Sequence, residues 1–140
     1  MGQYDIIIKR GDSKTYNLLI TSPIDDSVYY LTNSDSLYMT VKDGKDAVIK
    51  KKYIYSDQDI GGYVPIEIVP TDTENMRPSE NRYIYDIELV TGDGNVVTVI
   101  PPEPNNSGSC EKYDKKDKCV RDVLAHFIIL PDVTLPEDRE

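Results

Sequence analysis

Asp86 and Glu88 stand two residues apart in "YIYDIELV", and Asp93 follows in the turn "GDGN". Alternate residues of an extended strand share a face. The first two carboxylates therefore sit side by side, with the third just beyond them. Paired carboxylates can hydrolyse glycosides, one as acid and one as base or nucleophile, or they can bind Ca²⁺. The same alternation also describes the wet face of a half-buried strand whose inner face is Tyr83, Tyr85, Ile87 and Leu89. That second description is the expectation, because "GDGN" lacks the ligand spacing of a calcium loop. His126, the one histidine, lies in the apolar run "VLAHFIIL" and is expected to be structural. No serine or cysteine has a histidine near it in the sequence. The motifs G-x-S-x-G, H-E-x-x-H and the phosphate-binding glycine loops are absent. Neither catalysis nor a cofactor is expected.

The two cysteines, Cys110 and Cys119, flank a charged stretch, "CEKYDKKDKC". A structural zinc site takes four ligands, so this pair does not make one. Free thiols are expected, with a disulfide closing the loop as the alternative. Arg10-Gly11-Asp12 suits a turn between two strands, and this is preferred to an integrin-binding tripeptide.

The chain of 140 residues carries 25 acidic and 16 basic side chains, a formal charge of −9. One domain of this length buries a sizeable core. The acidity argues against nucleic acid, whose binders need a basic footprint, and against anionic membrane surfaces. No apolar run is long enough to span a bilayer. The N-terminus has no basic segment leading into an apolar one, so no secretory signal is read there. Synthesis in a bacterial cytoplasm is expected.

Period-2 patterning dominates. Strands are expected in "YDIIIKR", "KTYNLLIT", "VYYL", "SLYMTVKD", "AVIKKKYIYS", "YVPIEIV", around residues 81–100 on both sides of "GDGN", and in "VLAHFIIL". Pro65 marks its strand as an edge or a strand start. "PTDTENMR" supports a single helical turn capped by Thr71 or Asp72. Residues 101–123 have no apolar periodicity and are expected to form an exposed, flexible insertion before the last strand. Residues 135–140 are a polar tail. The whole is expected to be all-β: an immunoglobulin-like antiparallel β-sandwich over residues 1–134. Tyr83 is placed where the tyrosine corner of such sandwiches sits, with its hydroxyl bonded back to the preceding loop.

Taken in order, "IIIKRGDSKTYNLLIT", "YYLTNSDSLYMTVKD", "IEIVPTDTENMRPSENRYIYDIELVTGDGNVVTVI" and "FIILPDVT" resemble the N-terminal domain of phage baseplate upper proteins. Related small tail proteins of phages of Gram-positive bacteria share the pattern. The resemblance covers about residues 3–100 and 124–134. It implies a sandwich that builds or attaches a tail-tip organelle, carried in the virion and contacting other tail or baseplate proteins or further copies of itself. No catalytic residue comes with it. The chain departs from the pattern at residues 101–123, where a short connection is expected. A receptor-binding head after the closing strand is not expected, and a small standalone accessory protein or a domain cut out of a longer one is. The alternative is a carbohydrate- or cell-surface-binding sandwich in which Tyr29, Tyr30 and Tyr55 stack on sugars.

Overall fold

A computed structural model describes residues 4–22, 25–101 and 125–131. Its strands are β1 (Ile6–Lys9), β2 (Lys14–Leu19), β3 (Ser36–Asp43), β4 (Asp46–Tyr53), β5 (Tyr63–Ile68), β6 (Tyr83–Val90), β7 (Val96–Ile100) and β8 (Phe127–Leu130). One helical turn, α1 (Pro70–Thr73), and a 3-10 turn at Tyr55–Asp57 complete the elements. The fold is an all-β sandwich. One layer is the antiparallel sheet β4-β3-β6-β7; the pairs β2-β5 and β1-β8 make the rest.

Alternation in the sequence becomes two faces in the sheet. Leu37, Met39 and Val41 of β3 are fully buried, and they stand opposite Leu89, Ile87 and Tyr85 of β6. Val64, Ile66 and Ile68 of β5 and Ile6 and Ile8 of β1 join the same core, with Phe127 and Ile129 of β8. Pro65 sits on β5, whose only strand partner among the described residues is β2, so its missing N–H disturbs no central ladder.

The structure departs from the sequence expectation in three places. First, β1 and β8 pair in parallel, Ile6 with Phe127 through Lys9 with Leu130. A parallel pair needs a long crossover, and here nearly the whole domain supplies it. Second, "VYYL" forms no strand. Val28 makes a lone bridge to Thr21, and the side chain of Gln58 then stands in for a neighbouring strand. Its Nε2 donates to the carbonyls of Tyr29 and Gly62, both at 2.9 Å, and its Oε1 accepts from Leu31 N–H at 2.7 Å. Gln58→Ala should cost about 2 kcal/mol, because partly buried backbone groups lose their partners. Thermal unfolding and faster amide exchange at Leu31 check this. Third, of the two residues expected to cap α1, Asp72 does so, from inside the turn, and Thr71 does not. Pro70 opens the turn, and the Asp72 carboxylate accepts from Val69 N–H at 2.9 Å. Thr73, fully buried, has its Oγ1 accept from Gly11 N–H at 2.8 Å, which fixes the Arg10-Gly11-Asp12 turn to α1. Gly11 has φ +82°, a region that suits glycine.

β7 and the start of β8 occupy successive positions along the same side of β6. β7 pairs with Ile87–Val90. The chain then leaves at Pro101. It is described again at Ala125, whose carbonyl accepts from Tyr85 N–H at 2.9 Å, and His126 bridges Ile84. The polar insertion of the sequence thus interrupts what is otherwise one strand beside β6, at the level of Asp86. Residues 102–124, with Cys110 and Cys119, and residues 132–140 lie outside the described residues.

Candidate functional site

Asp86 and Glu88 lie on the outer face of β6, half-buried, opposite Thr40 and Tyr38 of β3. Glu88 also faces Thr98 of β7. A shallow pocket of about 190 Å³ opens where β7 ends, lined by Thr40, Lys42, Asp86, Thr98, Pro101 and Ala125. The carboxylates of a glycosidase face each other across the bond they cut. Asp86 and Glu88 are instead neighbours along one strand, about 7 Å apart at the backbone and projecting from the same face. Asp93 does not join them. In the β6–β7 turn, one of its oxygens accepts the Thr91 hydroxyl and the other accepts Asn95 Nδ2 at 3.1 Å. The Thr91 hydrogen bond is the main reason its carboxyl lies below the ordinary value. The three carboxylates thus divide between a sheet face and a turn.

His126 is held by Asp5. Its backbone N–H donates to the Asp5 carboxylate at 3.0 Å, and Nδ1 lies 3.6 Å from the same oxygen. It serves the junction between β8 and the chain entering β1.

Most of the tyrosine hydroxyls that face inward bond to the chain's own groups. Tyr16 and Tyr85 donate to the carbonyls of Ile7 and Tyr4, and so fasten the β1 segment over the sandwich. Burial pushes the Tyr85 hydroxyl well above the usual tyrosine range. Tyr83 is buried, and its oxygen accepts from Arg77 N–H at 2.9 Å. That is the contact a tyrosine corner makes, tying a strand to the loop just before it. Tyr83→Phe removes the acceptor and should cost about 1 kcal/mol, seen as a lower urea midpoint with unchanged slope.

Of the three tyrosines considered for surface contacts, Tyr29 is half-buried and its remaining surface faces an apolar cleft. Along residues 29–31, Tyr29 and Leu31 turn inward and Tyr30 outward. Tyr29 packs against the core, and its hydroxyl donates to Asp35 Oδ2 at 2.8 Å. That hydrogen bond, with burial, raises its pKa. Tyr30 and Tyr55 are 55% and 51% exposed.

Another concave surface is apolar. It is a cleft of about 580 Å³ between β7 and the end of β2, walled by Leu19, Ile20, Tyr29, Val97, Val99 and Ile100. Sequence patterning missed it because each of these residues belongs to an ordinary strand or its flank. Only the packing leaves the two sheet edges apart. Comparison with protein-family models finds no match, and neither curated proteins nor solved structures match the chain. Among the described residues, no group of three or more His, Cys, Asp or Glu is arranged to hold a metal, and no helix is long and apolar enough to cross a membrane.

Proposed function

We propose that this protein is a non-enzymatic structural module of a phage or prophage tail tip or baseplate, acting through contacts with other tail proteins. On this reading it is made in the bacterial cytoplasm and carried in the particle. Support comes from the resemblance in "IIIKRGDSKTYNLLIT", "NRYIYDIELVTGDGNVVTVI" and "FIILPDVT", whose residues lie on β1, β2, β6, β7 and β8. The observation that carries the reading is where polar and apolar groups are placed. Tyr16, Tyr29, Tyr83, Tyr85 and Asp35 are bound into the fold. Val96 and Val97 are exposed on the edge strand β7, beside an apolar cleft. Such edges contact other polypeptides through main-chain pairing and alternate side chains. Mass spectrometry of particles purified after induction of a strain carrying the gene tests this. The expected result is a stoichiometric virion component. Presence in the lysate with absence from intact particles contradicts it.

The exposed rings of Tyr30 and Tyr55 favour the second reading, a carbohydrate- or cell-surface-binding module. A glycan array separates the two. Binding that is lost in both Tyr30→Ala and Tyr55→Ala supports the second.

A further inference from the structure

The outer face of the four-stranded sheet carries polar groups that the fold does not use. Register places Lys50 of β4, Thr40 of β3 and Asp86 of β6 in one row across it. Lys52, Tyr38, Glu88 and Thr98 make the next row. A column of lysines and a column of carboxylates thus stand two strands apart, roughly 10 Å at the backbone. Among the described residues, no hydrogen bond or ion pair holds the side chains of Thr40, Lys42, Asp86, Glu88 or Thr98. The carboxylates of Asp35, Asp43, Asp72 and Asp93, by contrast, are bound within the fold. The row at Asp86 is also where the face is indented. β7 ends at Ile100, opposite Ile87, and the chain is next described at Ala125, bonded to Tyr85. Between them lies the pocket of about 190 Å³. Its polar lining is Thr40, Lys42, Asp86 and Thr98, and its apolar lining includes Ile84, Pro101 and Ala125.

We propose that this indentation binds one neutral pyranose ring of a glycan. Charge selects the class. An anion would meet Asp86 and Glu88, and a cation would meet Lys42 and Lys50. A neutral polyol uses both signs: its hydroxyls donate to the carboxylates and accept from the ammonium groups, and the threonine hydroxyls do either. A wholly apolar ligand would cover these groups and leave them without partners, which is costly. A pyranose also has a C–H face to set against Ile84, Pro101 and Ala125. Size selects a single ring, because pockets for drug-sized molecules run to roughly 300–1,000 Å³. Tyr38, one row along, is 37% exposed, and Lys52 Nζ lies 5.8 Å from its ring centre, a cation–π contact that restrains it. It offers a surface for the next ring of the glycan. The inference shares its ligand class with the second reading above but uses neither Tyr30 nor Tyr55, and it does not depend on the tail-tip reading.

Two-dimensional amide NMR of the full chain tests the proposal, with separate titrations of methyl β-glucoside, methyl β-galactoside, methyl α-mannoside and N-acetylglucosamine. The expected result is that at least one of them shifts the amides of Thr40, Lys42, Asp86, Thr98 and Ala125 together and saturably. Inorganic phosphate and trimethylammonium, the anion and cation probes, should not reproduce those shifts. Asp86→Asn keeps the shape and should weaken the sugar about tenfold, the loss of one charge-assisted hydrogen bond. Thr40→Val serves if Asp86→Asn fails to fold. Tyr38→Ala should leave monosaccharide binding unchanged and weaken the disaccharide of the same sugar. Tyr30→Ala and Tyr55→Ala should change neither. The proposal is overturned by no saturable shift with any of the four sugars, or by equal shifts with phosphate or trimethylammonium. Sugar binding that Asp86→Asn and Thr40→Val both leave intact also overturns it. Shifts confined to the surroundings of Tyr30 and Tyr55 overturn it in favour of the site in the second reading.

Discussion

Phe127→Ala should lower the unfolding free energy by about 3–5 kcal/mol. Phe127 is the chain's single phenylalanine and is fully buried. It opens β8 and stands opposite Ile6, where the first and last strands meet. Removing the ring takes away its transfer free energy and leaves a void among aliphatic side chains. Branched Ile, Leu and Val neighbours refill such a space poorly; Met39 and Met76 are the adaptable members of this core. β8 spans four residues, of which Phe127, Ile128 and Ile129 are buried, and Phe127 is the largest. Urea unfolding should show a lower midpoint with an unchanged slope, and Phe127→Leu should recover more than half of the loss. A cost below about 1 kcal/mol, the level of an average substitution, would place Phe127 outside the folding core.

Asp35→Ala should cost about 3 kcal/mol at neutral pH, since a buried carboxylate leaves several donors without an acceptor. Asp35 is 4% exposed. Its Oδ2 accepts Tyr29 Oη–H at 2.8 Å and Thr32 N–H at 2.9 Å. A Cβ on Gly92, in the β6–β7 turn, would come within 2.5 Å of Ser34 Cβ, so the two turns are in close contact. Burial alone would raise the carboxyl, but the hydrogen bonds from Thr32 and Tyr29 outweigh it and hold it below its ordinary value. An unfolded aspartate titrates near ~3.9. With the folded value lower, the stabilisation is complete above the unfolded pKa and is lost as pH falls through the folded one. The gap between wild type and Asp35→Ala should therefore be wide at neutral pH and narrow in acid. Tyr29→Phe shares the network, so the double variant should lose less than the sum of the two single ones. A gap independent of pH would mean the carboxylate charge plays no part.

The strands were legible because their outer and inner faces differ chemically. "SLYMTVKD" and "YIYDIELV" alternate so regularly that their pairing, Leu37 with Leu89 and Met39 with Ile87, follows from period and turn chemistry. Tyr83 was legible from its place at a strand start. Segment 28–31 was not, because its pattern is that of a strand. Its backbone is satisfied by Gln58, a side chain 27 residues beyond Leu31, and no local signal reports so distant a contact. The inward turn of Tyr29 has the same origin: Asp35, buried nearby, takes its hydroxyl. The parallel pairing of β1 with β8 was hidden because turn residues specify hairpins and say nothing about strands at opposite ends of a chain. The apolar cleft depends on the separation of β7 from β2, which is a property of the assembled layers.

Immunogold electron microscopy of purified particles, with antibody raised against the whole chain, tests the central claim most directly. The account predicts gold at the distal end of the tail. Labelling confined to the capsid, or intact particles that take no label while the protein is present in the same lysate, would contradict it.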